Sequence, residues 1–215
     1  MTKFVVLSSF AKRSLLSFGI PEDKIFVKPN FAFRMKPFKG LRPRRILYSS
    51  RLELEKGTLD VLNGWVSSSA GKNGWNLKIA GDGSQRDKVK QYSEKNSDIQ
   101  YLGKLDKQKL SIELSRARFS IFSSRMMENS PMSIIESLGA STPIIASSNL
   151  STSEYLDEEF SINISDYSNS WSDTFNLLDH FDANKLSVSA NIEFEKKYSP
   201  EIAIRNLESL YRGVI

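Results

Sequence analysis

A doubly wound α/β sheet with helices on both faces is predicted for most of this chain, and three observations predict it. From Arg45 onward short apolar runs alternate with amphipathic stretches, the pattern of βα units around a parallel sheet. The apolar runs are brief and dense, as in strands covered on both faces. Polar residues that favour helix N-termini stand before the amphipathic stretches. Strands are expected at 46–49, 77–80, 99–102, 119–122, 144–146 and 160–164. A helix is expected to begin near Thr58. Others follow Ser84 (85–95), Asp106 (107–116) and Ser130 (131–140), the last with Pro131 where its missing N–H costs nothing. Helices at 168–178 and 200–211 close the chain, the second with Ile204, Leu207 and Tyr211 at three-to-four spacing.

The first 45 residues do not fit this unit. Residues 5–7 read as a strand, 11–18 as a short helix ended by Gly19, and 25–28 as a strand before Pro29. The expected organisation is a tail of a preceding domain over 1–30, a linker over 31–45, the sheet domain over 46–198 and a C-terminal helix over 199–215.

At 215 residues the chain has room for one large domain and a fragment, and 40% hydrophobic content is enough to bury a core. No run approaches the roughly 18 apolar residues of a membrane span and no signal peptide opens the chain, so a cytoplasmic address is expected. The net charge of +5 suits an anionic partner: nucleotide phosphate, the acidic inner face of a membrane in peripheral association, or nucleic acid. The basic and aromatic stretch from Phe31 to Arg45 looks superficially like a nucleic-acid binder, but a solvated linker is the simpler reading and no nucleic acid is expected. The absence of cysteine excludes disulfides, thiol catalysis and Cys-based zinc sites. The sole histidine, His180, lies in a polar stretch and reads as a surface residue. No P-loop, nucleophile elbow, H-E-x-x-H or D-x-D pair is present.

Three clusters carry chemistry. Glu128 and Glu136 flank the start of the helix after Ser130. Helix N-termini gather N–H groups and positive dipole where a diphosphate binds, so the two carboxylates could accept hydroxyls at either end of a sugar–diphosphate–ribose ligand. Taken alone, the pair reads more simply as a helix cap and a surface residue. Arg51 and Lys56, after the first strand, suit diphosphate oxygens and the charge of a leaving nucleotide, although surface charges in a turn account for them equally. Gly81-Asp82-Gly83 follows the next strand and would let a ligand approach the backbone, but it lacks the third glycine of a dinucleotide fingerprint, and a tight turn is its default reading.

Together, in order and spacing, these clusters resemble glycosyltransferase family 4. Val6, Ser8, Phe18-Gly19-Ile20 and Pro29-Asn30 are similar to the end of that family's N-terminal domain. Leu47 to Arg51 with Glu55-Lys56-Gly57, then Ile79 to Gly83, Leu102-Gly103, the E-x(7)-E run from Glu128 to Glu136, Pro143 to Ala146 and Glu154 resemble its later landmarks. The resemblance implies the Rossmann-like C-terminal half of a two-domain GT-B enzyme of retaining mechanism. It implies that Arg51 and Lys56 bind the donor diphosphate, that Glu128 meets the transferred sugar, and that Glu136 meets the ribose. It places Gly81, Asp82, Gly83 and Gly103 at the nucleotide and Ser130, Pro131 and Met132 at the phosphates. It further implies a UDP- or GDP-sugar donor, a glycan or lipid-linked acceptor, no bound metal or other cofactor, and no transfer without the N-terminal half. The alternative is a non-catalytic nucleotide-sugar-binding module that works with a separate partner chain. Asn129-Ser130-Pro131-Met132 replaces the commoner Gly-Phe-Gly-Leu, and residues 149–153 lack the usual paired glycines.

Overall fold

The computed structural model describes residues 3–147, 149–164 and 170–212. It begins with β1 (Phe4–Val6), α1 (Ser9–Ser17) and β2 (Ile25–Val27), in which the two strands pair in parallel. The main sheet follows: β3 (Arg45–Ser49), β4 (Asn76–Ala80), β5 (Ile99–Gly103), β6 (Phe119–Phe122), β7 (Ile144–Ser147) and β8 (Ser161–Ile164). Its order is β5-β4-β3-β6-β7-β8 and every pairing is parallel. The order reverses between β3 and β6, the place where open α/β sheets bind ligands beyond their strand C-termini. All six strands fall within a residue or two of their expected places.

The helices are α2 (Thr58–Ser67), α3 (Arg86–Lys95), α4 (Lys107–Arg116), α5 (Met132–Gly139), α6 (Ser170–Asn176), α7 (Ala183–Lys197) and α8 (Pro200–Arg212). Alternate side chains of the strands serve the two faces. Ile46, Tyr48, Leu77, Ile79 and Phe119 pack with Val61, Trp65, Val89 and Trp171 of α2, α3 and α6. On the other face Leu47 and Ala80 meet Leu114 of α4, and Phe122, Ile144 and Ala146 meet Ile134, Leu138 and Phe194 of α5 and α7. A Cβ at Gly139 would stand 3.0 Å from the Phe194 ring, so the glycine allows α5 and α7 their close approach.

Three local expectations need correction. Ser84 does not cap α3: its N–H and hydroxyl donate to the Glu53 carboxylate at 3.2 and 2.5 Å, and the helix starts at Arg86 with no side-chain cap. Ser130 does not cap α5, because it adopts φ 58° and its hydroxyl accepts from the Asn30 N–H at 2.9 Å; Pro131 takes the capping position and Met132 starts the helix. Helix α7 was not expected at all. The linker over 31–45 has no regular structure before β3 opens at Arg45 and is mostly exposed, as expected, yet it is tied to the domain. Ala32 and Met35 donate backbone hydrogen bonds to Tyr198 and Gly139, and Arg42 donates to the Ala140 and Ser141 carbonyls at 2.9 and 2.7 Å. Arg34, Arg44 and Arg45 pair with Glu195, Asp179 and Glu113, which leaves the basic strap largely committed within the chain. The expected helix start at Ser168 lies outside the described residues.

Candidate functional site

At the point where β3 and β6 diverge, a cleft of about 200 Å³ is lined by Arg51, Lys56, Glu128 and the opening of α5 at Pro131, Met132 and Ser133. Arg51 and Lys56 therefore share one cleft with the positive end of α5, the arrangement that suits a diphosphate.

Lys56 is fixed through its backbone. It ends the 3-10 turn Leu54–Lys56, and its carbonyl accepts from the Tyr48 hydroxyl at 2.8 Å and the Ser123 hydroxyl at 2.7 Å. Gly57 then takes φ 70° to start α2, and a Cβ there would lie 2.4 Å from the Ser123 carbonyl oxygen. Only glycine meets both conditions. The Lys56 ammonium forms an ion pair with Glu128, both side chains being less than one-fifth exposed. Ser124 donates to the same Glu128 carboxylate at 2.6 Å, and the Glu128 N–H donates to Ser151 at 2.9 Å. Arg51 is exposed and makes no ion pair among the described residues. The site thus holds one neutralised cation and one available cation.

Glu136, one turn into α5, is half-buried in a recess adjoining the cleft, with Ser49, Ile121 and Ser133 lining both. Burial pushes its carboxyl above the ordinary carboxylate range, against a smaller opposing pull from Lys107. A carboxylate held there without a cation partner is costly, a cost that ligand hydroxyls could offset.

The glycine loops divide. At Gly81 (φ 149°) a Cβ would meet the Ser50 carbonyl oxygen at 1.9 Å, and at Gly83 (φ 152°) the Leu52 carbonyl oxygen at 2.7 Å. The Ser50 and Leu52 N–H groups also bond to Ala80 and Asp82. These two glycines are therefore required by the packing of the loop on the segment that follows β3. Gly103 (φ 70°) has nothing within 4 Å of its would-be Cβ, which leaves its backbone open to approach. Neither Gly81, Asp82, Gly83 nor Gly103 lines the cleft itself, and neither does Ser130, which is buried.

The residues that sequence reasoning missed are the hydroxyls of Tyr48, Ser123 and Ser124. The signal for the two serines was their place directly after β6, at the reversal of strand order. The two largest hollows among the described residues, of about 640 and 690 Å³, lie away from this edge, between the strap and α7 and between β8 and α7. Arg42 and Arg118 in the first are already bonded to backbone carbonyls. His180, exposed as expected, borders the second.

A parallel doubly wound sheet with two cations lining a cleft beside a helix N-terminus at its switch point defines an α/β domain whose cleft has the chemistry to suit a phosphate. The chain belongs to the glycosyl transferases group 1 family, whose model matches residues 31–178. Comparison with curated protein sequences gives no match. Among solved structures it is similar to Staphylococcus aureus TarM, in a complex that includes UDP, at 20% identity and TM-score 0.78, covering 97% of this chain and 43% of that one. It is also similar to a chain of the GtfA/B complex (19%, TM-score 0.81, covering 100% and 46%). Anabaena HepE bound to UDP-glucose is a third neighbour (14%, TM-score 0.79, 98% and 64%). The likeness is one of fold, that of the GT-B glycosyltransferases, and the chain spans less than two thirds of each neighbour.

Proposed function

We propose that this chain is the donor-binding part of a retaining glycosyltransferase, which moves a hexose from a UDP- or GDP-sugar to a glycan or lipid-linked acceptor. The observation that carries the reading is the cleft in which Arg51 and Lys56 share a wall-to-wall space with the N-terminus of α5. The donor diphosphate lies between them. Arg51 offers a planar fork and Lys56 a point charge, and the leading N–H groups of Met132 and Ser133 lack acceptors within the helix. As the bond from the sugar C1 to the terminal phosphate oxygen breaks, these groups hold the negative charge left on the nucleotide, which is the work a metal ion does elsewhere. Glu128 exchanges its contact with Lys56 for a sugar hydroxyl, and Glu136 accepts from the ribose.

Three findings support this: the family match, the neighbours solved with UDP or UDP-glucose, and the placing of Glu128 before and Glu136 within α5, one on each side of its N-terminus. Transfer would also need an acceptor-binding half, to which β1, α1 and β2 belong. No helix among the described residues is long and apolar enough to cross a membrane, and a cytoplasmic enzyme working at the inner membrane face fits the proposed acceptors. Calorimetry with UDP and GDP tests the reading. One of the two is expected to bind, Lys56→Ala should weaken it about tenfold, and the chain alone should not transfer sugar. Absence of binding by both nucleotides would sink the proposal.

A further inference from the structure

Between Glu128 and the start of α5 lies a turn that the cleft residues do not hold. Ser130 has φ 58°, one of two non-glycine residues with positive φ among those described. A serine there is strained and persists only where its surroundings determine it. Those surroundings come from the N-terminal unit, with the Tyr155 hydroxyl beside the same serine. The Asn30 backbone N–H donates to the Ser130 hydroxyl and the Asn30 side-chain amide to the Ser130 carbonyl, both at 2.9 Å. One residue earlier, the buried Ser8 donates to the Asn129 side chain at 2.8 Å. Beyond it, the Glu154 carboxylate accepts from the Ser9 and Phe10 N–H groups at 2.9 and 3.1 Å, and the Tyr155 hydroxyl donates to the Leu7 carbonyl at 2.8 Å.

We infer that Asn30 is a positioning residue of the donor site, acting from the N-terminal unit through Ser130 to set the spacing between Glu128 and the leading N–H groups of α5. Neither Asn30 nor Ser8 lines the cleft. Glu128 and Met132 stand on opposite sides of the Ser130 turn, so a turn that relaxes to negative φ moves the carboxylate relative to the helix end. Glu136 is insulated from this change, because the far end of α5 is fixed by Phe194 against Gly139 and by Arg42 on the carbonyls of Ala140 and Ser141. The role of this position in binding rests on the donor-site reading above; its control of the turn does not.

The test uses Asn30→Ala and the near-isosteric Asn30→Leu, which removes the side-chain donor without adding a charge and carries the comparison if the alanine variant does not fold. Binding of UDP and of uridine is measured together with amide hydrogen exchange. UDP binding is expected to weaken about five- to tenfold, and uridine by less than about twofold. Exchange over residues 128–134 should quicken while the sheet is unchanged. Exchange over 128–134 equal to the unsubstituted protein, or UDP and uridine weakened by the same factor, would overturn the inference. If the unsubstituted protein does not bind UDP, the donor reading fails and the exchange measurement alone decides the positioning.

Discussion

Lys56 and Glu128 satisfy each other across the cleft, and the proposed chemistry requires them to part. The pair is mostly withdrawn from solvent, so removing one partner leaves the other in a costly position. Glu128→Gln keeps the Ser124 contact but frees the ammonium. Binding of UDP alone should then tighten about threefold, while the extra affinity given by an attached sugar is lost; titrations with UDP and UDP-glucose would check both. Glu136 has the opposite problem, a carboxyl raised by burial with little to balance it. Its folded pKa lies above the unfolded value, so the cost of holding its charge is present above the folded pKa and gone below the unfolded one. Glu136→Gln should therefore raise the melting temperature at pH 7, with the gain shrinking on acidification. Uridine affinity in the unsubstituted protein should fall as pH drops through this raised pKa, because the protonated group loses one acceptor. A melting temperature that is insensitive to the substitution at pH 7 would contradict the assignment of burial as the cause.

Elements were legible where their pattern was carried by what they bury. The central strands β3, β6 and β7 are buried on both faces, and each strand of the sheet lay where its apolar run stood. Helix α7 escaped because its pattern misleads: Ala190 and Phe194 are buried whereas Val188 and Ile192 are more than half exposed, so its apolar residues mark no single face. Its start was signalled by Asp182, whose side chain accepts from the Asn184 and Lys185 N–H groups, and that signal stood in a stretch read as polar surface. Ser84 and Ser130 failed as caps for a different reason, since partners distant in sequence, Glu53 and Asn30, claim their hydroxyl groups. The glycines separate the same way. Gly81→Ala would drive a Cβ into the Ser50 carbonyl and should cost about 2–4 kcal/mol, measured by denaturant unfolding. Gly103→Ala meets open space and should cost only about 1 kcal/mol for its positive φ.

For the molecule as a whole, the strap over 31–45 and the N-terminal unit are bound into the structure rather than trailing from it. Composition could not show this, because basic residues in a solvated linker and basic residues bonded to carbonyls and carboxylates have the same sequence. The cleft was legible in its charged members and illegible in what holds them: Arg51, Lys56, Glu128 and the start of α5 could be named from type and spacing, whereas Tyr48, Ser123, Ser124 and Asn30 act through contacts that only the fold brings together. Ser130 was named for its place and turned out to serve the turn.

Amide chemical shifts of the folded chain during a UDP titration test the central claim most directly. The account predicts that Met132 and Ser133 move most and that Lys56→Ala reduces those shifts at equal UDP. Shifts concentrated instead around Arg42, Asn184 and Asn191, in the hollow between the strap and α7, would contradict it.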